Sequence, residues 1–126
     1  MTDKILVIDD DPIIRKLTQR LLKIAEFSDE SQVFTNGFDA LVYLKQEHHS
    51  DVRFVIFLDI NMPKMNGWEF LEQLEKENFD YNMSIFLITS SVDQNDHFRA
   101  KVNTAVRDII TKPFTLKKLK SLKSII

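Results

Sequence analysis

Four polar clusters stand where apolar runs end, and their residue types fit together chemically. Ile5-Leu6-Val7-Ile8 ends in Asp9-Asp10-Asp11, and Phe54-Val55-Ile56-Phe57-Leu58 ends in Asp59. Ile85-Phe86-Leu87-Ile88 ends in Thr89-Ser90-Ser91, and the run from Val106 to Ile110 leads into Thr111-Lys112-Pro113. Carboxylates gathered in one crevice repel, and one of them takes up a proton unless a cation compensates. A hard divalent ion with oxygen ligands and bound waters, such as Mg2+, meets that need. Lys112 adds a fixed positive charge and Thr89 a hydroxyl donor. Metal, ammonium and hydroxyl together can hold the three oxygens of an incoming phosphoryl group. The acceptor is then a carboxylate beside the metal, and the product an aspartyl phosphate. A single acid after a strand is usually just a solvated loop residue. Acid, acid, hydroxyl and lysine at four strand ends are far harder to assign to solvation.

That chemistry requires a fold that brings the four ends together. The apolar runs alternate with stretches of helical spacing. Helices are expected over 13–24 (Asp11 as N-cap, Pro12 in the first turn), 38–47, 67–77 and 94–103, with a last one capped by Thr115. Ile13, Ile14, Leu17, Leu21, Leu22 and Ile24 carry the apolar spacing of the first. Phe38, Ala40, Leu41 and Leu44 carry that of the second. Leu116, Leu119, Leu122 and Ile125 are expected to point inward from the last. Gln32-Val33-Phe34-Thr35 reads as a short strand. Asn36-Gly37 alone suggests a hairpin, but the helical spacing after it argues for a helix start. Five strands alternating with five helices mean parallel pairing through right-handed crossovers. Continuous apolar strands mean helices on both faces. The expected architecture is a flavodoxin-like, doubly wound α/β sheet in strand order 2-1-3-4-5, as one domain over 1–126. Its site lies at the carboxyl ends of the strands.

Composition narrows the function classes. The 126 residues carry a formal net charge of −2, with no positive excess to hold a nucleic acid. No Cys is present, which removes disulfides, thiol catalysis and thiolate metal sites. No apolar run approaches membrane-spanning length, and residues 1–10 do not read as a signal peptide. A soluble, cytoplasmic protein is expected.

With these residues in view, the chain resembles the receiver domains of two-component response regulators. The matching text is Ile5 to Asp11, then Phe57-Leu58-Asp59-Ile60-Asn61-Met62-Pro63-Lys64-Met65-Asn66-Gly67, then Phe86 to Ser90, then Lys112-Pro113-Phe114. The resemblance implies that Asp59 is the phosphoacceptor and Asp10 the acidic metal ligand, helped by Asp9. It implies that Asp59 and the backbone carbonyl of Asn61 complete the Mg2+ site. Thr89 resembles the switch hydroxyl, and Lys112 the partner of a phosphoryl oxygen. Asn61 and Ser91 match positions that tune phosphoryl lifetime, and the Lys112-Pro113 bond is typically cis in this family. The implied donor is a sensor histidine kinase or a phosphotransfer protein. The implied output is a downstream protein that docks on helix four, strand five and helix five. Such a domain catalyses only its own phosphorylation and dephosphorylation.

The chain departs from the pattern in places. Position 109, usually aromatic in receivers, is Ile, so the usual threonine–aromatic switch lacks its ring. Residue 90, usually Ala, is Ser, and Gln46 to Arg53 is longer than usual. A non-phosphorylated pseudo-receiver scaffold is one rival, though no key acidic or basic position is lost. A haloacid-dehalogenase-like phosphatase shares Asp-x-Asp spacing, Thr89 and Lys112. It also needs an acidic metal motif after the lysine, and Phe114 to Ile126 contains no Asp or Glu. A flavin protein of this fold would need a phosphate loop after strand one, which is missing. His48-His49 reads as an exposed helix end, and His97 as a surface residue. Lys117, Lys118, Lys120 and Lys123 read as a solvated face. Trp68 and Phe70 read as core.

Overall fold

The computed structural model describes residues 2–27, 31–77, 82–90, 94–112 and 114–125. In chain order the elements are β1 (Thr2–Ile8), α1 (Pro12–Ile24), β2 (Gln32–Phe34), α2 (Gly37–Glu47) and β3 (Val52–Asp59). Then come α3 (Gly67–Lys76), β4 (Asn82–Thr89), α4 (Gln94–Val102), β5 (Val106–Thr111) and α5 (Leu116–Leu122). A 3-10 turn, Lys123–Ile125, follows α5. The sheet is parallel, in the expected order β2-β1-β3-β4-β5. Ser91 and Pro113 lie outside the described residues.

The two faces of the sheet carry separate cores. Leu6, Ile8, Phe54, Ile56, Leu58 and Leu87 point to one side, where α2 and α3 supply Ala40, Leu44, Phe70 and Leu71. Ile5, Val7, Val55, Phe57, Phe86 and Ile88 point to the other, against Leu22 of α1 and Leu119 and Leu122 of α5. Successive strand side chains alternate faces, so a strand covered on both sides must be apolar throughout. This is why β3 and β4 read as unbroken apolar runs. The strands start earlier than those runs because their first residues are polar or half-exposed.

Local signals set the helix starts. Asp11 accepts from the Ile13 N–H at 2.9 Å, and Asn36 from the Asp39 N–H at 2.9 Å. Asn36 is thus an N-cap rather than a hairpin residue. Asn66 and Glu69 form a capping box, and Thr115 accepts from the Lys118 N–H at 3.1 Å. α2 ends at Glu47, with exposed His48 and His49 in the loop before β3.

Some inward expectations fail. Ile125 falls in the 3-10 turn beyond α5 and is exposed. Ile13, Leu17 and Ile24 form an exposed stripe on α1, and Phe38 is exposed on α2. The apolar positions of α1 spread wider than the surface the sheet can cover. Trp68 and Phe70 are buried as expected, whereas His97 is half-buried. Among the described residues, no helix is long and apolar enough to cross a membrane.

α1 closes on a left-handed residue. Glu26 has φ 62°, its N–H bonds the Lys23 carbonyl at 3.1 Å, and the Phe27 N–H bonds the Leu22 carbonyl at 2.9 Å. This is a Schellman closure with Glu where Gly is usual. A side chain in that conformation costs about 1–2 kcal/mol, partly offset by the unfolded-state freedom that glycine adds. Glu26→Gly is expected to stabilise the chain by about 1 kcal/mol, read as a higher denaturation midpoint at unchanged slope.

Candidate functional site

Backbone bonds that continue past the strand ends set the height of each site residue. The Asp9 N–H donates to the Phe34 carbonyl at 3.1 Å, and the Ile60 N–H to the Ile88 carbonyl at 3.0 Å. The Lys112 N–H donates to the Thr89 carbonyl at 2.7 Å. Ile8 pairs with Leu58, Asp59 with Ile88 and Thr89 with Thr111. Asp9, Asp59, Thr89 and Lys112 therefore converge at one end of the sheet, as the strand order requires.

Two tight side-chain turns aim the carboxylates. The Asp11 N–H donates to Asp9 Oδ1 at 2.9 Å, and the Asn61 N–H donates to Asp59 Oδ1 at 3.1 Å. Asp9 and Asp59 are each only 2% exposed, while Asp10 stands at the exposed rim. One carboxylate oxygen from each of Asp9, Asp10 and Asp59 falls within 4.8 Å of the others. Lys112 Nζ lies 3.7 Å from Asp9 Oδ2 and 3.7 Å from Asp59 Oδ1. The Asn61 side-chain amide donates to Thr89 Oγ1 at 3.3 Å, so Asn61 touches both Asp59 and Thr89.

The charge balance is unfavourable without a cation. Burial, helped by the neighbouring Asp9 charge, pushes the Asp59 carboxyl up to about 6. The Asn61 N–H and Lys112 oppose that rise. Burial also raises Asp9, against the Asp11 N–H and Lys112. Among the described residues, Asp9 Oδ2 is buried with no hydrogen-bond partner. A buried carboxylate oxygen without a donor is a costly arrangement. A metal ion would satisfy it, and the all-oxygen donor set suits a hard divalent cation. The residues present fit a cation site.

Sequence reasoning missed two contributors and, for a third, how tightly it packs beneath Asp59. Arg15 Nη1 donates to the Asp9 carbonyl at 2.8 Å, pinning the β1–α1 turn from within α1. Lys64 has φ 68° in the loop after Asp59, and the Met65 N–H bonds the Pro63 carbonyl across it at 2.8 Å. Gly67 is the third. Its N–H donates to the Ile60 carbonyl at 2.9 Å, and a Cβ there would stand 2.9 Å from Ile60 Cα and 3.1 Å from the Asp59 carbonyl oxygen. Both close atoms are backbone and cannot swing away. Gly67→Ala is expected to cost about 1–3 kcal/mol and to displace Asp59. Chemical denaturation and divalent-ion titration of the variant read both effects.

Comparison with known proteins agrees with this geometry. The family model described as response regulator receiver domain matches residues 5–123. A probable transcriptional regulator, ycf27 of Porphyridium aerugineum, is 32% identical over 119 residues, covering 94% of this chain. The chain spans just under half of that relative, 45% of its length. The sensor histidine kinase CheAY of Helicobacter pylori is 32% identical over 111 residues, 88% of this chain and 13% of the kinase. The crystal structure of a two-component response regulator from Cytophaga hutchinsonii superposes with a TM-score of 0.84. It shares 30% identity, with 98% of this chain and 96% of that one covered. The chain belongs to the family of response regulator receiver domains.

Proposed function

We infer that this domain works in two-component phosphorelay signalling, accepting a phosphoryl group on Asp59. The observation that carries the reading is the pair of buried carboxylates, Asp9 and Asp59, bridged by Lys112 at 3.7 Å from each. Asp59 Oδ1 is held by the Asn61 N–H, so the other oxygen, Oδ2, acts as nucleophile. In transfer from a phosphohistidine, the P–N bond breaks as the Oδ–P bond forms, and the imidazole leaves. Water attack on phosphorus later returns the carboxylate and inorganic phosphate. Asp9, Asp10 and Asp59, with the Asn61 carbonyl, would hold Mg2+, which when bound would offset the charge on the carboxylates and the phosphoryl oxygens. Lys112 supplies an ammonium to one phosphoryl oxygen, and Thr89 a hydroxyl to another.

The donor is a sensor histidine kinase or a phosphotransfer protein, and the setting is cytoplasmic. The output is a protein docked on the α4–β5–α5 face, where Phe98 and Val102 are exposed, rather than a nucleic acid. Asn61 and Ser91 set the lifetime of the phosphoryl group, and unchanged dephosphorylation rates in variants of both would remove that role. The chain acts as a signalling domain, with self-phosphorylation and self-dephosphorylation as its only chemistry. A small phosphodonor with Mg2+ tests the reading. Wild type should become labelled and Asp59→Asn should not; equal labelling of the two would refute the assignment.

A further inference from the structure

α4 is attached to the rest of the domain by an unusual means. It buries only Ala100, while Phe98 and Val102 are 66% and 63% exposed. A cleft of about 480 Å³ opens between α3 and the end of α4, lined by Leu71, Leu74, Val102 and Ala105 among others. Apolar packing therefore does little to fix α4 against α3. A polar clasp does more. The Trp68 indole N–H donates to Asp96 Oδ1 at 3.1 Å, and the Arg99 guanidinium carbon lies 4.2 Å from the centroid of the same ring. Asp96 and Arg99 are one turn apart on α4, so they take the ring by its edge and its face.

Both ends of this clasp are tied to the site. Trp68 follows Gly67, whose N–H bonds the Ile60 carbonyl and whose position leaves no room for a Cβ beside the Asp59–Ile60 backbone. A shift at Asp59 must move the first turn of α3 with it. α4 follows β4, which ends at Thr89. The clasp thus joins α3 and α4, the helices that follow the strands ending in Asp59 and Thr89. Trp68 itself is 7% exposed, so it cannot reorient without moving its partners. Position 109 is a half-buried Ile and offers no ring for a second route.

We propose that Trp68, held between Asp96 and Arg99, relays the state of the Asp59–Thr89 site to α4. This relay rests on the phosphoacceptor reading of Asp59. In the resting state the clasp holds α4 against α3. Rearrangement at the site changes the α3–α4 spacing, weakens the clasp and frees α4, with its exposed Phe98 and Val102, to move. An element with few buried apolar contacts is one that opens at low cost.

Backbone hydrogen exchange of residues 94–102, with and without Mg2+ and beryllofluoride, tests the relay. Bound fluoride seen by 19F NMR reports adduct formation separately. The single tryptophan adds a local optical signal. In the wild type, adduct formation should speed α4 exchange about fivefold and change Trp68 emission. The surface variant Asp96→Ala/Arg99→Ala should form the adduct, show fast α4 exchange at rest and respond no further. Asp96→Asn, which keeps the acceptor, should respond as wild type does. An adduct with unchanged α4 exchange in the wild type overturns the relay and leaves the acceptor reading intact. So does an equal response in the double variant. Absence of any adduct in the wild type overturns both.

Discussion

In metal-free buffer at pH 7, Asp59→Asn will be more stable than wild type by roughly 2–3 kcal/mol. The physical cause is the burial of Asp59 beside Asp9, which lifts its carboxyl from an ordinary 3.8 to about 6. The folded state therefore holds a proton on Asp59 in a pH range where the unfolded chain has already released it. Stability from this group is complete below about pH 4 and is lost as pH rises toward 6. Asn removes the titration. The advantage of the variant should thus be small near pH 4, grow through pH 4–6 and level off above. Urea midpoints of both proteins across that range measure the difference directly. Mg2+ should reverse the order. Wild type gains stability with each increment of the ion, and the variant gains much less, because a ligand stabilises only the state that binds it. Equal Mg2+ stabilisation of both proteins would remove Asp59 from the cation site.

The second large effect lies at Lys112. Lys112→Met should slow phosphorylation by about 10²–10³-fold, the scale on which losing one preorganised donor to a developing oxyanion is felt. Lys112 also opposes the upward shift of both Asp9 and Asp59. Its removal must raise the Asp59 carboxyl further. The acid limb of the labelling rate should then move to higher pH in the variant, a displacement that loss of packing alone would not produce. Rate–pH profiles with a small phosphodonor give both quantities in one experiment.

The parts of the site that the sequence makes legible are those set by strand ends. Asp9, Asp59, Thr89 and Lys112 each follow an apolar run, and parallel pairing leaves those ends on one side. The N-caps Asp11 and Thr115 and the turn at Asn66-Gly67 are equally local, because their bonds reach only two or three residues. What escapes such a reading is contact between side chains far apart in the chain. The bond from Asn61 to Thr89, the reach of Arg15 back to the Asp9 carbonyl and the clasp on Trp68 are of this kind. None leaves a periodic trace. The balance between neighbouring acids was also hidden. Asp9 and Asp10 look alike in sequence, yet Asp9 is the buried member, with an oxygen that finds no hydrogen-bond donor among the described residues. On the fold side, apolar spacing overstated burial at Ile13, Leu17, Ile24 and Ile125. Spacing shows which residues share a stripe, whereas burial depends on how wide a surface covers it.

Identity of the modified atom is the central matter. An aspartyl phosphate is an acyl phosphate, and borohydride reduces it to a homoserine at the same position. The domain should be treated with a small phosphodonor and Mg2+, reduced, digested and sequenced by mass spectrometry. Homoserine at residue 59 alone, dependent on Mg2+ and abolished by Asp59→Asn, is the predicted result. Homoserine at residue 9 or 10 instead, or labelling that survives both the substitution and removal of the ion, would contradict it.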